Sequence, residues 1–221
     1  MPTSLRIDFV SDVVCPWCAI GLKALEQALE RVSDAVVADI HFQPFELNPT
    51  MPREGQDIAE HLMQKYGSTP EQLASNQEAL RARGEALGFT FDMEKRTRTY
   101  NTFDAHRLLH WAQGEGKQRE LKHALLKAYF TEGRNPSDPD VLISIATSVG
   151  LDEKRAREVL ASNAYAQEVR EREQHYQQQG IQAVPSVIVE NKYLIQGGQP
   201  VEAFEQALRQ IAGEKEAEAR S

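Results

Sequence analysis

The chain has 221 residues and a net charge of −8, and its 41% apolar and 26% charged content is that of a water-soluble globular protein. No apolar run approaches the ~20 residues a membrane span needs, and no Lys/Arg cluster interleaved with aromatics offers phosphates a footprint. Neither a membrane nor a nucleic acid is therefore an expected partner. Met1 to Arg6 leads directly into strand-like alternation, without the basic and apolar regions of a secretory signal, so the cytoplasm is the expected compartment.

Leu5 to Val10 reads as a short strand, and Ser11 to Cys15 as a link. Pro16 suits the first position of a helix, because it has no N–H to satisfy there and its φ is already helical. The stripe Ile20, Leu22, Leu25, Leu29, Val32 carries that helix to about Arg31. Val36 to Leu47 is a second strand with Ile40, Phe42 and Phe45 as inward candidates, and Pro44 marks it as an edge or bent near its end. The opening is a β-α-β unit.

From about 53 to 180 the pattern is helical. Thr69-Pro70-Glu71-Gln72 has the spacing of a capping box, with Gly88 as the stop of that helix. His106 to Ala112 and Leu121 to Phe130 carry helical apolar spacing, so Trp111, Tyr129 and Phe130 are core candidates. Asp138-Pro139 opens another helix, Asp152 and Asn163 read as N-caps of two more, and Gly180 ends the last. The charges of Glu168 to Glu173 read as a solvated face. Strand character returns at Ser186–Val189 and Tyr193–Gln196, a hairpin. Gly197-Gly198 then breaks the sheet, and Pro200 opens a final helix through Val201, Phe204, Leu208 and Ile211.

The expected class is α/β: a central mixed sheet with flanking helices, formed by 1–52 and 181–213 and interrupted by an all-helical insertion at 53–180. Residues 214–221 read as a frayed, disordered tail.

The chain has two cysteines, three positions apart. A structural disulfide framework uses more cysteines at longer separations, and a zinc site uses a second ligand pair. Redox chemistry without a metal is what remains. In Cys15-Pro16-Trp17-Cys18, a helix starting at Pro16 puts Cys15 at the N-cap, facing unpaired amides and the positive end of the helix dipole. Both favour thiolate, the nucleophilic form. Cys18 lies one turn on, within reach of a disulfide. Pro16 stiffens the turn, and Trp17 offers a flat apolar contact beside the sulfur. His106 and His110 have helical metal-ligand spacing, but with no third ligand in view they read as core or cleft lining.

A strand, Cys-Pro-x-Cys opening a helix, a helical insertion and Val184-Pro185 before a hairpin together resemble the DsbA-like branch of thioredoxin-fold proteins. Within that branch, Ser11 to Cys18, Phe45-Glu46-Leu47-Asn48-Pro49 and Asn101 to Leu108 are similar to the FrnE-like subgroup. The resemblance runs from residue 5 to about 212. It implies a protein-disulfide oxidoreductase with a thioredoxin-like fold, acting on protein or small-molecule disulfides and dithiols, with Cys15 as nucleophile and Cys18 as resolving thiol. It further implies that Val184–Pro185 is cis and that Val184 pairs with substrate beside Pro16 and Trp17. Asn101, His106 and Arg107 become candidates for the cleft wall.

Thioredoxin-like proteins can hold a buried acid beneath the dithiol as proton acceptor, which makes Asp8 a candidate; a solvent-facing strand residue is the alternative. Some FrnE-like relatives carry a second Cys pair near the C-terminus. This chain has none, which excludes a second dithiol relay. No permanently bound cofactor is expected. Glutathione is a candidate co-substrate, because the same superfamily includes proteins similar to 2-hydroxychromene-2-carboxylate isomerases and kappa-class glutathione transferases. In those the first Cys is typically Ser, so Cys15 argues against a glutathione-dependent isomerase or transferase. A binding module with incidental thiols is the third reading.

Overall fold

The structure is a computed structural model and describes residues 2–219. In chain order the elements are β1 (Thr3–Ser11), α1 (Pro16–Arg31), β2 (Val36–Pro44), β3 (Gln56–Asp57), α2 (Ile58–Tyr66), α3 (Pro70–Ala86), β4 (Arg98–Thr99), α4 (Phe103–Gly114), α5 (Gln118–Phe130), α6 (Pro139–Ser148), α7 (Glu153–Ala161), α8 (Ala166–Gln178), β5 (Ser186–Val189), β6 (Tyr193–Gln196) and α9 (Val201–Ala219). The main sheet has the order β2-β1-β5-β6. β1 and β2 are parallel, as a helical crossover requires, while β5 pairs antiparallel with both β1 and β6. This is the thioredoxin-like arrangement expected from β-α-β followed by β-β-α.

Alternation along β1 sends Leu5, Ile7 and Phe9 into a core shared with Leu22 and Leu25 of α1 and Phe204 and Leu208 of α9. That core is continuous with Leu108 of α4, Leu121 and Leu125 of α5 and Leu142 of α6, so the helical block and the sheet share one apolar interior. The opposite face of β1 turns Val10 toward Ile188, Ile181 and Tyr176 at the end of α8. β2 ends at Pro44, three residues earlier than its hydrophobic pattern indicates, and the Leu47 amide instead donates to the Asp12 carboxylate at 2.7 Å. The free edge of β2 is sealed by Gln118, whose side-chain amide bonds both the N–H (2.9 Å) and the C=O (3.0 Å) of Phe42.

Helix starts follow local chemistry. Thr69 and Gln72 form the reciprocal capping box of α3, Asp138 caps α6 and Asp152 caps α7. Three expectations are corrected. The N-cap of α8 is Tyr165, with φ 61, rather than Asn163. Arg107 grips the preceding turn through the Ser162 and Ala164 carbonyls, which places Asn163 inside the turn. The face Glu168 to Glu173 is not wholly solvated, since Val169 and Glu173 are buried. Residues 214–219 are helical rather than frayed: α9 runs to Ala219, held by Lys215 to the Ser4 carbonyl (2.8 Å) and Glu190 (2.7 Å), by Glu214 to the Tyr193 hydroxyl and by Glu218 to Lys192. The last two residues of the expected tail lie outside the described residues. Among the described residues no helix is long and apolar enough to cross a membrane.

Candidate active site

Cys15 is the N-cap of α1, in extended backbone (φ −88, ψ 113), and Pro16 opens the helix. The N-cap side chain makes no capping hydrogen bond and no acidic residue lies in the first turn. The positive end of the helix is therefore left for the Cys15 sulfur to use. The Cys15 carbonyl accepts from the amides of Cys18 (3.1 Å) and Ala19 (3.4 Å), which fixes the two cysteines one turn apart on the same end of α1. Both are free thiols, and both are buried. They differ in setting. Cys18 is fully enclosed, and burial, followed by the hydrogen bond to Cys15 and its charge, pushes the Cys18 thiol well above its usual range.

The head of β5 faces them. The Val184–Pro185 peptide is cis, and the Cys15 thiol donates to the Val184 carbonyl at 3.7 Å. Close approach of α1 to this segment depends on two glycines. A Cβ on Gly21 would lie 3.0 Å from the Pro185 ring, and one on Gly198 would lie 3.2 Å from the Trp17 carbonyl. Trp17 is 39% exposed beside the dithiol, with the Arg83 guanidinium of α3 5.2 Å from its ring.

Beside the β1–α1 link and the end of β2 lie ionisable side chains, of which sequence reading singled out only His106. Asp12, fully buried in the β1–α1 link, accepts from the Leu47 amide at 2.7 Å and has His106 Nε2 3.4 Å away. Burial pushes its carboxyl up, but His106, the Leu47 amide and Thr102 outweigh that and hold it below its usual range. Lys122 of α5 is fully buried, and its Nζ has no hydrogen-bond partner among the described residues. A signal for it exists in the sequence: Lys122 falls with Leu125, Leu126 and Tyr129 on an apolar helical stripe, where a lysine is out of place. Glu46 is bonded to Arg170, which also binds Glu173 at 2.8 Å and covers the Phe103 ring at 3.9 Å. Burial, and then the neighbouring Glu173, raise the Glu46 carboxyl to about 7 against the pull of His106 and Arg170.

The remaining site candidates are placed as follows. Asp8 lies on the face of β1 that carries Val10, with its carboxylate taken by Gln43 Nε2 (2.6 Å) and the Arg6 guanidinium (2.8 Å). It is neither solvent-facing nor beneath the dithiol; the acid on that side is Asp12. His106 Nε2 bonds the Phe45 carbonyl at 3.1 Å as well as facing Asp12, and His110 packs on Tyr165. Asn101 caps the start of α4 by accepting from the Phe103 amide (3.0 Å), and its Nδ2 reaches Glu46 and the Pro49 carbonyl, both at 3.5 Å. Arg107 is buried and clamps the α7–α8 turn. A cavity of about 820 Å³ lies between α1 and α5 and is lined by Lys23, Glu26, Arg119 and His123; neither cysteine is on its wall.

Comparison with known proteins places this geometry. A probable DsbA oxidoreductase from Streptomyces coelicolor is 35% identical, with 95% of this chain and 91% of that one covered and a TM-score of 0.89. Two more distant structures show the fold alone. A 2-hydroxychromene-2-carboxylate isomerase has 14% identity, 96% and 98% coverage and a TM-score of 0.67. The cytosolic disulfide reductase DsbM of Pseudomonas aeruginosa, solved with GSH, has 15% identity, 98% and 100% coverage and a TM-score of 0.61. The family model described as the DSBA-like thioredoxin domain matches residues 6–209. The chain belongs to the DSBA-like thioredoxin domain family.

Proposed function

We propose that the protein is a thiol–disulfide oxidoreductase acting on protein or small-molecule disulfides and dithiols, with Cys15 as the attacking and Cys18 as the resolving thiol. The asymmetry of the pair carries this reading. Cys15 sits at an uncompensated helix N-terminus against the Val184 carbonyl, while Cys18 is enclosed behind it with its thiol pushed up. A Cys15 thiolate attacks a substrate disulfide, forming a Cys15–substrate mixed disulfide and releasing one substrate thiolate. Cys18 then attacks the Cys15 sulfur, closes the intramolecular disulfide and frees the second substrate thiol. Run backwards, the same steps oxidise a dithiol. Val184 would present its backbone to the bound substrate, with Trp17 as an apolar wall, and glutathione is a fitting small co-substrate for the same mixed-disulfide step.

Cys15→Ser is expected to abolish disulfide exchange. Cys18→Ala is expected to stop at the first step and accumulate a mixed disulfide on Cys15, seen as an added mass that a reductant removes. Exchange retained in Cys15→Ser would overturn the proposal. Glutathione-dependent isomerisation or transfer that survives Cys18→Ala would replace it with a reading in which Cys15 only activates glutathione.

A further inference from the structure

We propose that Lys122, supplied by the helical block, accepts the proton of Cys18 in the resolving step and then holds the thiolate as its counter-charge. This rests on the dithiol reading above. It adds a residue from outside the sheet-and-α1 frame to the chemistry.

Three observations carry it. The side chain of Lys122 is fully buried and its Nζ has no hydrogen-bond partner among the described residues, a costly setting for an ammonium and an acceptable one for a neutral amine. The charges acting on it are those of Cys18, of Asp12 in the preceding link and of Cys15, so the amine lies near the dithiol, though beyond hydrogen-bond reach of either sulfur. Finally, burial lowers Lys122 while it raises Cys18, which brings an amine and a thiol toward the matched affinities that make proton transfer efficient.

Asp12, the other buried group there, is a poor acceptor. His106, the Leu47 amide and Thr102 already hold its carboxylate ionised and weakly basic. Its Oδ1, 3.4 Å from His106 Nε2, makes no hydrogen bond among the described residues, and its charge favours the ammonium once formed. The step balances: the Cys18 S–H bond breaks, its proton passes to the Lys122 amine by way of one water or a small swing of the side chain, and the thiolate's electron pair forms the bond to the Cys15 sulfur as the substrate thiolate leaves. In that step Lys122 is the general base toward the reacting Cys18 thiol.

The test is stepwise reaction of the reduced full-length chain with dithiobis(nitrobenzoate). The first thionitrobenzoate released reports attack by Cys15, and the second reports resolution by Cys18. Lys122→Met is expected to slow the second release about 100-fold near neutral pH and to leave the first within about threefold. The variant's second step should climb about tenfold per pH unit as hydroxide replaces the amine. Lys122→Arg keeps the charge without a neutral base and should be equally slow.

A second release within threefold of wild type in Lys122→Met, or its full recovery in Lys122→Arg, would overturn the proposal. Should Lys122→Met fail to fold, the unmutated chain decides. Its second-step rate should level off with rising pH while thiolate absorbance at 240 nm is still growing, and a rate that tracks that absorbance throughout would overturn the assignment. Absence of the first release in the unmutated chain would instead sink the dithiol reading, so the two failures are distinguishable.

Discussion

The sheet-and-α1 frame and the helical block contribute to the dithiol in different ways. The frame places the sulfurs by backbone geometry: a proline-started helix, a glycine at the contact with Pro185, and a strand head whose carbonyl meets Cys15. The block contributes ionisable side chains: His106 from α4 beside Asp12 and Lys122 from α5 near the dithiol, while Arg170 and Glu173 of α8 reach Glu46 just after β2. Position is set locally, and protonation is set by long-range packing. The two regions nonetheless share one core, which can be tested first. Phe130 is fully buried, with ring centroids 4.7 Å from Tyr129 and 5.1 Å from Phe91. Phe130→Ala is expected to cost about 3–5 kcal/mol in a single denaturant transition. Trp17 reports the frame and Trp111 the block, so single-tryptophan variants should give coincident curves; a block that melts first, with the frame intact, would break the shared-core description.

The difference between the regions also explains what could be read from sequence. The frame was legible because its signals are short-range: alternation in β1, Pro16 after Cys15, the hairpin before α9. Local signals failed where a distant partner decides. Asn163 has the chemistry of a cap, but Arg107 holds its turn, and the polar end of α9 has helix-compatible residues whose anchors, Ser4 and Glu190, are far away in sequence. Asp8 and Asp12 illustrate the limit at the site. Alternation states that a strand acid faces one side, but which side the dithiol occupies is set by the packing of α1. Lys122 was visible as an anomaly in an apolar stripe, whereas its target was not.

A second test separates the two regions by pH. Glu46 follows β2, and α8 supplies both Arg170, which pairs with it, and Glu173, which raises it. With its folded value at about 7 against an unfolded value near 4.3, the folded state holds a proton across that window that the unfolded state has lost. Stability should therefore fall as pH rises from about 4.5 to 7 and level off above, the opposite sign to a salt-bridged carboxylate. The loss should be about 1–2 kcal/mol after allowance for solvent screening by way of the half-exposed Arg170. Glu46→Gln should flatten this window in chemical denaturation repeated across pH. A slope unchanged in Glu46→Gln would mean that another group is responsible.

The smallest expected effect gives the sharpest contrast, because it compares the two faces of β1. Asp8 is held by Gln43 at 2.6 Å and by Arg6 at 2.8 Å, on the face packed by Tyr176 and Ile181 rather than on the side of the sulfurs. Asp8→Asn keeps one acceptor oxygen for Gln43 and Arg6 Nη2 and loses the charge together with the 3.0 Å bond from Nε of Arg6, whose side chain is 41% exposed and can turn to solvent. The cost should be about 1 kcal/mol of stability, with both thionitrobenzoate releases within about twofold of wild type. Lys122→Met should do the reverse, sparing stability while slowing the second release. Burial favours an apolar residue at position 122, and the ionisable groups it faces there belong to the dithiol and its link. If Asp8→Asn slows resolution and Lys122→Met does not, proton acceptance belongs to the α8 face of the strand, and packing on the α5 side serves only to bury the pair.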